Sequence, residues 1–222
     1  MGTRSEKSLR LFVVGATGGT GRELVRQALE RNHRVTAFVR SPQKLGPPRD
    51  GLRVIEGDVL DADAVATALA GHDAVLSAMG PPGPGRTTIT SESARSTVTA
   101  MRASGVRRLL LVGVAVLFED GGMMADLLRK TLLRNVADDS AAMERIVKGS
   151  ELDWTIVRPP RLTNGPRTGR YGVLDDHLPG GAGGGAAKIS RADVADFLLT
   201  EVEQPAHLRR VVGVAYTKKP QR

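Results

Sequence analysis

The stretch LFVVGATGGTGREL, Leu11–Leu24, passes from an apolar run through four glycines into a helical pattern. Leu9–Val14 is short, apolar and ended by glycine, which predicts a buried strand. From Thr20 to Arg31, the residues Leu24, Val25, Ala28 and Leu29 recur at helical spacing. Between strand and helix, Gly15, Gly18 and Gly21 are spaced G-x-x-G-x-x-G. In such a turn Gly15 permits the tight bend, Gly18 lets backbone approach a phosphate, and Gly21 lets the helix pack on the strand. Unpaired N–H groups at the helix start, Gly19 among them, then face an anion, with the Thr17 and Thr20 hydroxyls as further donors. A glycine spacing alone says little. Its place at the first strand–helix junction of an alternating chain gives it meaning.

The alternation continues. RVTAFVR (Arg34–Arg40) and LRVIEGDV (52–59) read as strands, and DADAVATALAG (61–71) as a helix with acids in its first turn and Gly71 past its end. HDAVLSAMG (72–80) is a fourth strand, followed by a helix at Thr88–Ser104 and a strand at Arg108–Val114. A helix at Val136–Gly149, a strand at Trp154–Arg158, a capped helix opening at SRAD (Ser190–Asp193) and a last strand in RRVVGVAY (209–216) complete the order. This predicts one α/β domain over residues 1–222, a Rossmann-type doubly wound parallel sheet with helices on both faces. The substrate-side loops fall around 80–88, 114–135 and 160–188. In the last of these, LPGGAGGGAAK (Leu178–Lys188) is either a lid or a plain connector.

Composition narrows the classes. The absence of cysteine excludes disulfides, thiolate metal sites and a cysteine nucleophile. His33, His72, His177 and His207 lack metal-ligand spacing, so no metal is expected. The net charge of +8 is scattered rather than blocked, and aromatic residues make up only 3% of the chain. That pattern argues against nucleic acid and suits a small anionic ligand. No apolar run approaches the roughly 20 residues of a membrane span. MGTRSEKSLR at the start lacks the apolar stretch of a signal peptide, so a cytoplasmic location is the simplest expectation.

The second strand ends in FVRSPQKL, with Arg40 where an NAD-specific fold places an acid, and Ser41 and Lys44 just beyond. A guanidinium and an ammonium there suit the 2′-phosphate of NADP; read blandly, both are solvated charges. In EGDVLD (56–61), Asp58 either accepts from an adenine amino group, with Val59 packed on the ring, or caps the next helix.

VVGATGGTG, VTAFVRSPQKL, GDVLDADAV, DAVLSAMG, GVRRLLLVG, ERIVKGSELDWTIVRPPRL and KISRADVADFLL together resemble the atypical, NmrA-like short-chain dehydrogenase/reductase family, along nearly the whole chain. Within it they look most like the branch of biliverdin reductase B, or flavin reductase. The resemblance implies a monomer that binds NADP(H) and passes hydride to flavins or linear tetrapyrroles. It places the cofactor on Gly15–Gly21, Arg40, Lys44, Asp58 and Val59, with Ala78, Met79 and Gly80 along the ribose and diphosphate. Pro159, Pro160 and Arg161 would lie near the nicotinamide.

The chain departs from this pattern on the substrate side. The Tyr-x-x-x-Lys pair that standard short-chain enzymes use as proton donor is missing: Tyr171 is followed four residues on by Asp175, and Tyr216 by Pro220. Val114 stands at the serine position after the fifth strand, and Ser140 and Arg161 stand where the reductase branch has histidines. No residue is therefore assigned as catalytic; Arg161 and Ser140 are the remaining candidates, though the DDS at 138–140 also reads as a helix N-cap. Asp138–Asp139 and Asp175–Asp176 read as turns or helix starts, and Trp154 as core. Reducing a ketone needs a proton donor. A flavin or quinone needs less, because the anion formed is delocalised. Val114, Val116 and Leu117 beside Arg161 suit a planar anionic acceptor. The expected function is an NADPH-dependent reductase of such a conjugated acceptor. The other reading is an NADP(H)-binding redox sensor without turnover, acting on a protein partner. A nucleotide-sugar epimerase would want the Tyr–Lys pair.

Overall fold

Strand β1 (Arg10–Val14) buries both its faces, Leu11 and Val13 on one side and Phe12 and Val14 on the other. A strand buried twice belongs in the middle of a sheet covered on both faces. In the computed structural model, which describes residues 8–81, 83, 85–118, 127, 130–131, 133–180 and 187–217, β1 lies between β2 (Arg34–Val39) and β4 (Ala74–Ser77). β3 (Leu52–Glu56), β5 (Arg108–Val112), β6 (Asp153–Arg158), β8 (Gly172–Asp175) and β10 (Arg210–Ala215) complete the sheet, in the order β3-β2-β1-β4-β5-β6-β10-β8. All neighbours pair in parallel except β10 and β8. The doubly wound arrangement expected from the sequence is present.

Helices α1 (Gly19–Glu30) and α5 (Arg191–Glu203) cover one face, over a core of Leu11, Val13, Leu110, Val157 and Val212. Helices α2 (Ala62–Leu69), α3 (Ile89–Ser104) and α4 (Arg134–Lys148) cover the other, over Phe12, Val75, Leu109, Leu111 and Ile156, with Trp154 among them as expected. The order of strands reverses between β1 and β4, where one crossover runs outward to β2 and the next returns. That reversal opens a crevice at the strands' carboxyl ends.

Three elements were not expected. β7 (Arg161–Thr163) and β9 (Lys188–Ser190) form a separate parallel pair, and β8 adds an antiparallel edge to the main sheet. The lid question for the glycine-rich segment falls on residues 181–186, which lie outside the described residues.

Ser190 caps α5, its hydroxyl accepting from the Asp193 N–H at 2.9 Å. Asp193 does not reach back to complete a reciprocal box. It is closed from solvent and accepts from Ser190 Oγ, Thr168 N, Thr168 Oγ1, Gly169 N and Tyr216 Oη. Burial pushes its carboxyl up, but the Tyr216 hydroxyl and the Gly169 and Thr168 donors outweigh burial and hold it below the ordinary value. A folded-state value below the unfolded one gives stability that is complete above the unfolded carboxylate range, begins to fall below about pH 4 and is lost as pH drops through the lower folded value. Asp193→Asn is expected to cost about 2–3 kcal/mol at neutral pH. Urea melts at pH 7 and pH 3 check this; a loss as large at pH 3 as at pH 7 contradicts the ionised-acceptor account.

Candidate functional site

The glycine turn sits at the β1/β4 reversal. Gly15 has φ +75°, and a Cβ on it would lie 2.7 Å from the Ala78 carbonyl oxygen. A Cβ on Gly21 would collide with the Gly15 carbonyl oxygen. Side chains are excluded at both places because the end of β4 and the start of α1 close directly on the turn. Gly18 N–H bonds back to Gly15 O at 3.0 Å, and Gly18 then caps α1 with no side chain offered to the free N–H groups. Gly18 and Gly19 are the exposed part of the turn; Thr17 is half-buried and Thr20 buried. The helix therefore presents unsatisfied backbone donors into the crevice, which is what a phosphate requires.

Arg22 braces this turn to the next one, its Nε donating to Thr17 O at 3.0 Å and its Nη2 to Lys44 O at 2.9 Å. The brace fixes the short 3₁₀ turn Pro42–Leu45, with Arg40 before it and Lys44 within it, both exposed. Asp58 is exposed and accepts from Leu60 N at 3.0 Å, forming a local turn. The helix-cap role belongs instead to Asp61, whose Oδ1 accepts from Ala64 N at 3.0 Å. Val59 is buried in the core with Phe12 and Phe38. Ala78 and Met79 are half-buried and Gly80 exposed at the end of β4.

The residues expected on the acceptor side lie on the loops after β5 and β6. Gly113 N donates to Val157 O at 2.7 Å, and Ala115 N to Pro159 O at 3.1 Å, which ties the two loops together. Val114 lies beyond the end of β5, and Val116 and Leu117 form a 3₁₀ turn; all three are half-buried. Pro159 is buried, Pro160 half-buried and Arg161 exposed. A cleft of about 480 Å³, lined by Leu117, Arg134, Ala137 and Asp138 among others, opens beside the 3₁₀ turn.

Ser140 is not an N-cap. Helix α4 begins at Arg134, and Ser140 is in its interior, 3% exposed. Asp139, likewise within α4 and buried, starts a different helix from the side: it accepts from Thr90 N and Ser91 N at 3.0 Å, at the beginning of α3. Asp175 and Asp176 end β8 in a turn, as read. Both tyrosines are engaged inside the fold. Tyr171 Oη donates to Asp196 Oδ2 at 2.8 Å, and Tyr216 Oη to Asp193. Burial, then the Asp196 carboxylate, push the Tyr171 phenol above its ordinary value. His33, His72 and His207 are paired with Glu203, Thr36 and Glu201. Among the described residues no group of acids and histidines could hold a metal, and no helix is long and apolar enough to cross a membrane.

Two features escaped the sequence reading. Glu144 on α4 receives both Arg158 Nε and Nη2 at 2.8 Å, with Lys148 at 3.0 Å, and Arg158 lies 4.7 Å from the centre of the Phe118 ring. This buried pair lies beneath Phe118, at the end of the 3₁₀ turn that carries Val116 and Leu117. In the β7–β9 pair, Arg161 stands directly beside Lys188, both exposed. Like charges in register are unfavourable unless an anion lies between them.

A strand, glycine turn and helix at the reversal point of a parallel sheet, with free N–H groups facing the crevice, define a dinucleotide-binding α/β protein. The model of the NAD(P)H-binding family matches residues 15–205, and the chain belongs to that family. It is 29% identical over 207 residues to the uncharacterized protein YwnB of Bacillus subtilis, covering 90% of this chain and 94% of YwnB. It is 33% identical to a 3-diazoavenalumate denitrifying reductase of Streptomyces sp, covering 79% of this chain and 66% of the relative. The crystal structure of SP1627, a candidate NADH-flavin reductase of Streptococcus pneumoniae TIGR4, superposes with a TM-score of 0.76 at 25% identity, covering 94% of this chain and all of that one (100%).

Proposed function

We propose that the protein is an NADPH-dependent reductase of a planar, conjugated, anionic acceptor of the flavin class. The observation that carries this reading is the pairing of a complete dinucleotide cradle with an acceptor loop that offers apolar surface and cations but no free tyrosine. The reductase relatives of Streptomyces and Streptococcus support the reaction class.

The reduced nicotinamide supplies the hydride when bound. The chain's own residues bind and orient. The Gly18–Gly19 backbone receives the diphosphate, and Arg40 and Lys44 take the 2′-phosphate, a choice that favours NADPH over NADH. Val114, Val116 and Leu117 keep water from one side of the acceptor ring, and Arg161 with Lys188 balances a phosphate or carboxylate on it. A delocalised reduced acceptor takes its proton from water, so the engagement of Tyr171 and Tyr216 elsewhere does not stop the reaction. The same engagement, with Val114 in place of a serine, also favours a second reading, a redox sensor that binds NADP(H) and turns nothing over.

NADPH oxidation with FMN, measured beside a free-flavin blank and a binding titration, separates them. Turnover clearly above the blank is expected. Tight NADPH binding with no turnover on FMN, a linear tetrapyrrole or a quinone overturns the reductase reading in favour of the sensor.

A further inference from the structure

Arg191 opens helix α5, immediately after its cap Ser190. The start of α5 is tied to α1 by Gln27 Nε2, which donates to Ala192 O at 2.8 Å. From there the Arg191 side chain crosses onto the glycine turn. A Cβ built on Gly19 would lie 2.6 Å from Arg191 Cδ and 2.8 Å from Nε. Gly19 therefore has no side chain in a place that the arginine stem fills. The guanidinium end is held by one contact, Nη1 to Asn164 Oδ1 at 2.6 Å, on the loop after β7. Among the described residues no carboxylate pairs with it.

This position is electrostatically adverse in the free protein. Gly19 is the first residue of α1, where the helix carries roughly half a positive elementary charge. The first turn of α1 contains no acid and already holds Arg22. Arg22 spends Nε and Nη2 on the carbonyls of Thr17 and Lys44, so it acts as a brace. Arg191 has five N–H donors and uses one. A guanidinium with spare donors, set against the positive end of a helix and tethered by a neutral amide, is stabilised by an anion that touches both.

We propose that Arg191 is a phosphate-gripping residue that receives the diphosphate of the dinucleotide, with Asn164 positioning its guanidinium. The proposal rests on the dinucleotide reading of the glycine turn. It assigns to the start of α5 a binding role beside its structural one, and it divides the phosphates of the cofactor between two arginines: Arg40 for the 2′-phosphate and Arg191 for the diphosphate.

The test is a fluorescence titration of NADPH and NADH into wild type, Arg191→Gln, Arg191→Lys and Asn164→Ala, with 2′-AMP, which lacks a diphosphate, as competitor. Arg191→Gln is expected to weaken NADPH and NADH alike, by about tenfold or more, while leaving 2′-AMP affinity unchanged. Arg191→Lys recovers part of the loss by restoring the charge, and Asn164→Ala shows a smaller loss of the same kind. The salt dependence of NADPH binding falls in Arg191→Gln, because one cation no longer meets the ligand. Thermal melts without ligand run beside each titration. Unchanged NADPH affinity in Arg191→Gln, whether or not its melt is lowered, reduces Arg191 to packing and overturns the proposal; equal losses of NADPH and 2′-AMP overturn it as well. Failure of the wild type to bind NADPH at all is a distinct result, which removes the dinucleotide reading first.

Discussion

Arg40→Asp is expected to lower NADPH affinity by a factor on the order of 10²–10³ while changing NADH affinity by less than about tenfold. The size follows from two effects that add. The substitution removes a charge-assisted contact to a phosphate dianion and puts a carboxylate in its place, so attraction becomes repulsion. For NADH the same carboxylate accepts from the ribose 2′-hydroxyl, the usual arrangement in NAD-specific folds. The fold should not interfere with the reading, since Arg40 is exposed after the end of β2 and no ion pair holds it among the described residues. Exposed substitutions of this kind stay within about 0.5 kcal/mol in stability. Paired titrations with NADPH and NADH, at one ionic strength, decide the matter. Equal losses for the two would take the 2′-phosphate from Arg40 and leave its charge as a solvated one. The contrast with Arg191, where equal losses are the expected result, lets one data set assign both phosphates.

The two halves of the site differ in how far the sequence reveals them. The cofactor half is local: Gly15, Gly18 and Gly21 lie on one turn, and Arg40 follows its strand by one residue, so spacing alone carries the information. The acceptor half is not local. Arg161 meets Lys188 only because two three-residue strands pair across the chain, and strands so short leave no periodicity to read. Ser140 illustrates a related failure. DDS before an apolar run has the composition of a cap, but α4 starts earlier, at Arg134, so the polar residues fall inside the helix and its acid caps α3 instead. Arg191 was hidden in plain view, inside a tetrapeptide whose cap reading was correct for Ser190. Capping explained the serine and left no reason to ask what the arginine touched. Side chains that act across elements are invisible to spacing, and most of the acceptor side is made of them.

Glu144 is a clear such residue, and its removal carries a large expected stability effect. Glu144→Ala should cost about 3–5 kcal/mol, because it leaves a buried cation without its partner. Glu144 and Arg158 side chains are only 4% and 12% exposed, and both guanidinium bonds to the carboxylate are 2.8 Å. Lys148 is 43% exposed and can turn to water when the carboxylate goes; Arg158, fixed over Phe118, has less freedom to do so. Set against a total stability of about 5–15 kcal/mol, such a loss is a large part of the whole. The pair itself need not be a net gain. Burying two charges costs several kcal/mol per ion, so Glu144→Leu combined with Arg158→Met should recover most of the loss. Urea denaturation of the single and double variants measures this directly. A single variant that costs less than about 1 kcal/mol would show that Arg158 finds water easily and that the pair holds nothing in place. The double variant has a second use. It keeps the core filled but removes the cation from Phe118, the residue that ends the turn carrying Val116 and Leu117. If that turn forms the acceptor surface, the stable double variant should bind NADPH as wild type does and show a raised KM for the acceptor.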